Sequence, residues 1–259
     1  MKFKVIGSGS KGNMTYIESK ECKLLLDAGI NLKEIAKRSD IDLTDIDGIL
    51  ITHEHIDHIS SLQLIIKKTK CKVYMNRDSY EAMVNKYPGK YEKINVCFID
   101  ANTKYKIKDI MLMPIQLSHD TVSCYGYIFV SNKESLGYIT DTGFIPIPYF
   151  DILNRLDTII IESNHDIEML QNSDRPWVLK QRILSVHGHM SNIMCGEALN
   201  KILRTKNLKN VVLAHLSEEC NDEKIAIDTI LESIEGDYIP NIFVAKQYES
   251  LDFLEVKPK

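Results

Sequence analysis

Positive charge is not in excess in this chain. The 259 residues hold 32 Lys and Arg against 36 Asp and Glu, a net of -4 with histidine neutral. A domain that coats nucleic acid without specificity is usually strongly basic, so binding of that kind is not expected. A phosphate substrate stays compatible, because metals or a local basic strip can supply the charge. No apolar run approaches the roughly 20 residues that cross a bilayer. The run after Met1 is too short for a secretory signal. The expectation is a cytoplasmic protein with no membrane partner. Cysteine is sparse: the six residues Cys22, Cys71, Cys97, Cys124, Cys195 and Cys220 contain no C-x-x-C pair and read as free thiols packed in cores. Internal repeats, low-complexity tracts and linkers are lacking too, so residues 1–259 read as a single domain.

What the chain does have is concentrated at Thr52-His53-Glu54-His55-Ile56-Asp57-His58. An apolar run of strand length, 46–51, precedes it, and residues 59–66 follow with apolar positions at helical spacing. On such a strand-to-helix turn, His53 and His55 are two apart and point to the same side in extended backbone. Asp57 and His58 reach a second position close by. Neutral imidazoles and a carboxylate suit zinc, manganese or iron.

Around this turn the pattern alternates short strands with helices. Strands are expected at 3–7, 14–18 and 23–26. The Gly/Ser loop 7–13 reads either as a hairpin connection or as a phosphate-contacting loop. A helix follows at 31–38, a strand at 72–75, and a helix at 78–87 stopped by Pro88-Gly89. Strands at 94–98, 105–107 and 111–116 lead to Leu117-Ser118-His119-Asp120. A strand pair at 125–130 and 135–139 ends in Thr140-Asp141-Thr142-Gly143, where an Asp is often only a turn former. A continuous apolar strand, 156–161, ends in Glu162-Ser163-Asn164-His165-Asp166. Helices are expected at 165–171, 178–184 and 191–204, the last with Ser191 as N-cap. Strand 210–213 leads to Ala214-His215-Leu216-Ser217, followed by a helix at 223–234 and edge strands at 243–245 and 251–254.

The motif at Thr52–His58 resembles the signature of the metallo-β-lactamase superfamily in its hydrolase form. The resemblance implies an α/β (α+β) chain folded as a four-layer αβ/βα sandwich. It implies two divalent metal ions, zinc or manganese. His53, His55 and His119 would hold one, Asp57, His58 and His215 the other, with Asp141 bridging them and Asp27 bracing the metal-binding turn. A water or hydroxide between the ions would be the nucleophile. The secreted β-lactamases of the superfamily need an export signal, which counts against antibiotic hydrolysis.

The loop 7–13, Glu162–Asp166, Gly188-His189-Met190-Ser191-Asn192 and Ala214–Ser217 together resemble one branch, the YycJ/WalJ-type exonucleases, over nearly the whole chain. That branch implies a 5′-to-3′ DNA exonuclease linked to DNA repair, with nucleic acid, and DNA above all, as partner. A parallel with ribonuclease Z implies that Glu162 and His189 form a dyad protonating the leaving oxygen, and Asp57 is counted with them as catalytic. Ser10, Asn13, Asn164, His165 and Ser217 are the expected substrate contacts, with loop anchoring the alternative for Asn164 and His165. Trp177, Lys180 and Arg182 read as a solvated helix face or as a strip tracking a nucleic-acid backbone, with Lys11 in the same position. His187 reads as merely exposed. The rival is a hydrolase of the same fold acting on a thioester, a lactone or RNA. The chain between Asp141 and His215 is too short for the large insertion of ribonuclease J, and no tRNA-clamping arm is evident.

Overall fold

A computed structural model describes residues 1–257. The apolar strands expected from sequence assemble into two seven-stranded mixed sheets. The first takes β1 (Lys2–Gly7), β2 (Met14–Glu18), β3 (Lys23–Leu26), β4 (Gly48–Leu50), β5 (Lys72–Met75) and β6 (Val96–Phe98) in sequence order. The second takes β7 (Tyr105–Ile107), β8 (Ile110–Leu117), β9 (Cys124–Ser131), β10 (Glu134–Ile139), β11 (Thr158–Glu162), β12 (Asn210–Ala214) and β13 (Asn241–Val244). β14 (Leu254–Glu255) returns to pair with β1 in the first sheet. Each sheet changes character midway: β3 to β6 are parallel and β1 to β3 antiparallel, while β10 to β13 are parallel and β7 to β10 antiparallel.

Side-chain alternation explains why the sheets stack. Leu24, Leu26, Leu50, Tyr127, Phe129, Ile160 and Val212 meet in one core between the two sheets. Their strand neighbours Leu25, Ile49, Ile128, Ile159 and Val211 point the opposite way. On the outer face of the first sheet, Leu25 and Ile49 pack with Ile35, Leu62, Ile65 and Met83. Those come from α1 (Leu32–Arg38), α3 (Leu62–Thr69) and α4 (Arg77–Lys86), with α2 (Ile56–Ile59) between the first two in sequence. On the outer face of the second sheet, Ile128, Ile159 and Val211 pack with Leu153, Leu199 and Ile230. These belong to α5 (Phe150–Leu153), α8 (Asn192–Ile202) and α9 (Glu223–Ser233). The result is the four-layer αβ/βα sandwich. α6 (Ile167–Asn172) and α7 (Trp177–Leu184) form a smaller satellite with its own apolar contacts, among them Leu170 and Ile183. Among the described residues no helix is long and apolar enough to cross a membrane.

Two details depart from the sequence pattern. The helical run expected over 59–66 breaks at Ser60-Ser61, because both serines turn to the loop after β3: Ser60 Oγ donates to Gly29 O at 2.9 Å and Ser61 N to Ala28 O at 2.9 Å. The short α5 lay in a stretch without helical periodicity. Ser191 caps α8 as expected, its Oγ accepting from Met194 N at 3.2 Å. All six cysteines are free; Cys71 and Cys97 are half-buried and the other four are buried.

Candidate metal centre

The parallel strands of both sheets end at the same side of the sandwich, and crevices outside strand carboxyl ends are where ligands bind in such sheets. Asp27 follows β3, His53 to His58 follow β4, His119 follows β8, Asp141 follows β10, Glu162 ends β11 and His215 follows β12. Three of these strand-end residues, Asp27, Asp141 and His215, have left-handed backbone with φ of 61°, 58° and 57°. That conformation costs an L-residue roughly 1–2 kcal/mol. Here it redirects the side chain at the point where the strand stops.

All seven residues expected from sequence as ligands come together. Ligating atoms of His53, His55 and His119 lie within 4.8 Å of one another, and so do those of Asp57, His58 and His215. Asp141 joins His53 and His58 in one such group and His215 in another, so it stands between the two triads. Its Oδ1 is 3.4 Å from His215 Nε2, and its Oδ2 is 3.5 Å from His58 Nε2.

The rings are held from behind. His119 Nδ1 donates to Gly188 O at 3.2 Å, a carbonyl that can only accept. His58 Nδ1 meets Asp27 Oδ2 at 2.8 Å, and His215 Nδ1 meets Glu162 Oε1 at 3.0 Å. His53 Nδ1 meets Thr52 Oγ1 at 3.0 Å, and Thr52 is fixed in turn by Asp27 Oδ1 through its N at 2.9 Å and its Oγ1 at 3.0 Å. With Nδ1 engaged in each of these rings, Nε2 is the nitrogen turned to the other ligating atoms, an arrangement that suits metal-ligating histidines. Asp27 therefore braces rather than joins the cluster. Gly29 beside it admits no side chain: an added Cβ would lie 1.6 Å from Asp57 O, where the α2 turn packs.

Three buried atoms decide whether a cation fits. His53 Nε2, His215 Nε2 and Asp141 Oδ2 have no hydrogen-bond partner. Buried polar atoms are seldom left so, and all three are of ligating type. The donor set, imidazole nitrogens with carboxylate oxygens, suits divalent cations.

The two triads differ electrostatically. Burial, then the neighbouring imidazoles, hold His53 and His55 below the ordinary histidine range, and burial lowers His119 as well. Burial would also lower His58 and His215, but carboxylates outweigh it. Asp27, Asp141 and Asp57 raise His58 well above its ordinary value, and Asp141, Asp57 and Glu162 push His215 up to about 10. Burial would raise Asp57, yet His58 and His215 hold it far below the usual carboxylate range.

Glu162 is fully buried and serves two rings. Its Oε1 is 2.7 Å from His189 Nδ1 as well as 3.0 Å from His215 Nδ1, while Oε2 accepts from Thr142 N at 2.8 Å and Met190 N at 3.3 Å. Burial would raise its pKa, but His189 and His215 keep it well below the ordinary range. The Glu162–His189 contact expected from sequence is thus formed, and the same carboxylate also holds the His215 ring.

A cavity of about 290 Å³ opens on the cluster, lined by His55, Asp57, His119, Asp141, His189 and His215, with Ser10, Asn164 and Ser217 at its edge. A larger hollow of about 740 Å³ lies between Met113 and the segment 146–155, away from the cluster. Several residues singled out from the sequence make contacts within the protein itself. Asn13 is fully buried and braces the first loop and the cluster: its Oδ1 accepts from Gly9 N at 2.8 Å, and its Nδ2 is 3.1 Å from His58 Nε2. In the same loop Ser8 Oγ accepts from His215 N at 2.9 Å. His165 is buried outside the cavity lining, with its Nδ1 3.3 Å from Asn164 Oδ1, and burial brings it down to about 4. Asn164 anchors its loop by donating to His215 O at 2.7 Å. Lys180 is neither solvated nor free to bind a polyanion: it is buried, and Nζ donates to Gln171 O at 2.8 Å and Ser173 O at 2.6 Å at the end of α6. His187 is exposed, with Nδ1 2.9 Å from Ser118 Oγ. Two wall residues, Arg175 and Asp120, escaped the sequence reading. The only signal for Asp120 was its place directly after His119, and Arg175 had none.

The chain belongs to the beta-lactamase superfamily, whose domain matches residues 23–216. More narrowly, it is 36% identical over 237 residues to exodeoxyribonuclease WalJ of Streptococcus pneumoniae, covering 90% of this chain and 88% of that protein. It is 34% identical over 238 residues to exodeoxyribonuclease YycJ of Bacillus anthracis, covering 91% and 89%. Among solved structures, the metallo-β-lactamase fold protein YhfI of Bacillus subtilis superposes with a TM-score of 0.74 over 96% of this chain and 98% of that one, at 14% identity, a likeness of fold alone.

Proposed function

We propose that this chain is a metal-dependent phosphodiesterase, a DNA exonuclease working from the 5′ end, loaded with two zinc or manganese ions. What carries the reading is the meeting of a set of seven ligating side chains with His189 in the wall of the same cavity, held from behind by buried Glu162. The alignment along nine-tenths of the chain with two proteins named exodeoxyribonucleases supports DNA as the substrate. The inter-sheet core, built from both sheets, supports one domain acting as a unit, and the free cysteines suit a reducing compartment such as the cytoplasm.

His53, His55 and His119 would hold one ion, Asp57, His58 and His215 the other, and Asp141 would contact both. Bound ions supply a water whose pKa falls toward about 7 and a positive field for the charge that builds on the phosphate. The protein's own part is positioning and proton delivery. Glu162 fixes the ring of His189 through Nδ1, so Nε2 is the nitrogen left to face the substrate. From there His189 gives a proton to the departing oxygen, general acid work worth roughly 10²–10⁴-fold. Ser10 and Ser217, at the cavity edge, remain the substrate contacts this reading favours.

The test is digestion of end-labelled single- and double-stranded DNA and RNA, with zinc or manganese added to the metal-stripped protein. Stepwise release of mononucleotides from the 5′ end of DNA is the expected outcome. Hydrolysis of thioesters or lactones with nucleic acid untouched would overturn it, and preference for RNA would move the substrate assignment.

A further inference from the structure

Beyond the ligating residues and the Glu162–His189 pair, the cavity wall carries two guanidinium groups. Arg182, on α7, is ion-paired with Asp120, the residue directly after His119. Arg175, just ahead of α7, donates from Nε to Glu219 Oε2 at 2.8 Å and from Nη2 to Ser217 Oγ at 3.4 Å, two residues past His215. His189 stands between the two ends, its ring centroid 5.0 Å from His119 and 5.2 Å from His215. Asp120, which pairs with Arg182, also has its Oδ1 3.3 Å from His119 Nε2, so Arg182 reaches the His119 side of the cluster, while Arg175 reaches the His215 side through Ser217.

Both ion pairs reach solvent: the Arg182 side chain is 58% exposed, and Arg175, itself 24% exposed, pairs with a Glu219 that is 69% exposed. Exposed ion pairs of this kind contribute little. A phosphate offers a planar guanidinium a bidentate, charge-assisted contact. Without a polyanion, Asp120 and Glu219 hold the two forks at the cavity. Both carboxylates also face an incoming phosphate, so binding depends on the guanidinium groups standing between.

We propose that Arg175 and Arg182 grip the two phosphates that flank the scissile one on the strand being cut. The proposal rests on the phosphodiesterase reading above. Its test compares the metal-loaded protein with R175A, R182A, R175K and R182K on two substrates. One is a single-stranded DNA oligonucleotide. The other is bis(p-nitrophenyl) phosphate, a diester with no flanking phosphate. Metal content and thermal unfolding are recorded for each variant.

The ratio of kcat/KM for the oligonucleotide to that for the small diester is expected to fall roughly tenfold or more in each alanine variant, mainly through KM. The log–log salt dependence of oligonucleotide binding should become shallower by about 0.7 per arginine removed. The lysine variants should recover the salt slope but only part of the affinity, since the charge stays and the fork is lost. If both substrates decline together, the arginines act on folding or metal binding and the proposal is overturned. An unchanged ratio overturns it equally. Should the wild-type protein hydrolyse neither substrate in any metal, the phosphodiesterase reading itself fails and takes this one with it.

Discussion

The two ligand triads solve one problem in opposite ways. His53, His55 and His119 form a purely imidazole set, kept neutral by burial and mutual repulsion. Asp57, His58 and His215 form a charged set in which carboxylates and protonated rings compensate one another, with Asp27 and Glu162 behind. The first is poised for a cation without losing anything. The second must release protons when a cation enters, because ligating imidazoles are neutral. Two pockets a few ångströms apart, built from the same residue types, therefore answer differently to pH and to mutation.

The largest effect is expected where the triads share a residue. D141A removes the one side chain that faces both, and should lower nuclease activity by at least roughly 10³-fold, the scale of several kcal/mol of lost charge stabilisation. Its bound metal, measured by plasma mass spectrometry after dialysis, should drop for both ions. H119A and H215A should each cripple activity but retain about one ion per chain, if the triads bind separately. Loss of both ions in either single variant would break the distinction between them.

A smaller effect separates the two rings served by Glu162. H189A should cost roughly 10²–10⁴-fold in kcat with both metals retained, because His189 belongs to neither triad. E162Q should show the same loss and, in addition, a metal affinity weakened by about 10–100-fold on the His215 side, the usual cost of disturbing a ligand's supporting partner. Equal metal content in the two variants would mean that the 3.0 Å contact to His215 does not matter to the charged triad.

The imidazole triad was the more legible of the two. His53 and His55 announce themselves by spacing, since alternation in extended backbone forces a common side. The sheets were legible for the same reason, through runs such as Ile159-Ile160-Ile161 that feed two cores at once. The residues beyond the seven-residue motif were harder. Asp141, which stands between the triads, and His215 of the charged one are gathered from strand ends 74 positions apart in sequence, and their left-handed backbone has no marker in a non-glycine residue. Only kinship of the whole motif set brought them in. Kinship gave no help with Asn13, His165 and Lys180, because whether a polar side chain turns toward substrate or toward scaffold depends on tertiary packing. Asn13 faces Gly9 and His58, Lys180 caps the end of α6, and no local pattern distinguishes either from a ligand contact.

The subtlest consequence of the contrast lies in the pH dependence of stability of the metal-free protein. His215 is raised from 6.5 to about 10, so the folded state holds its proton where the unfolded state has lost it. Its contribution is fully present below pH 6.5 and disappears as pH rises toward about 10. His119 is lowered, so between its folded value and 6.5 the unfolded state binds the extra proton, and stability falls as pH drops through that range. The charged triad thus tilts the curve down on the alkaline side and the imidazole triad on the acid side. Urea unfolding of the metal-stripped protein from pH 5 to pH 9 should give a maximum near neutrality, flattened on the alkaline limb in H215Q and on the acid limb in H119Q. With ions bound, the protons on His58 and His215 are displaced and the alkaline decline should vanish. A metal-free protein whose H215Q variant keeps the full alkaline decline would place that titration elsewhere and remove the electrostatic basis for treating the triads as different.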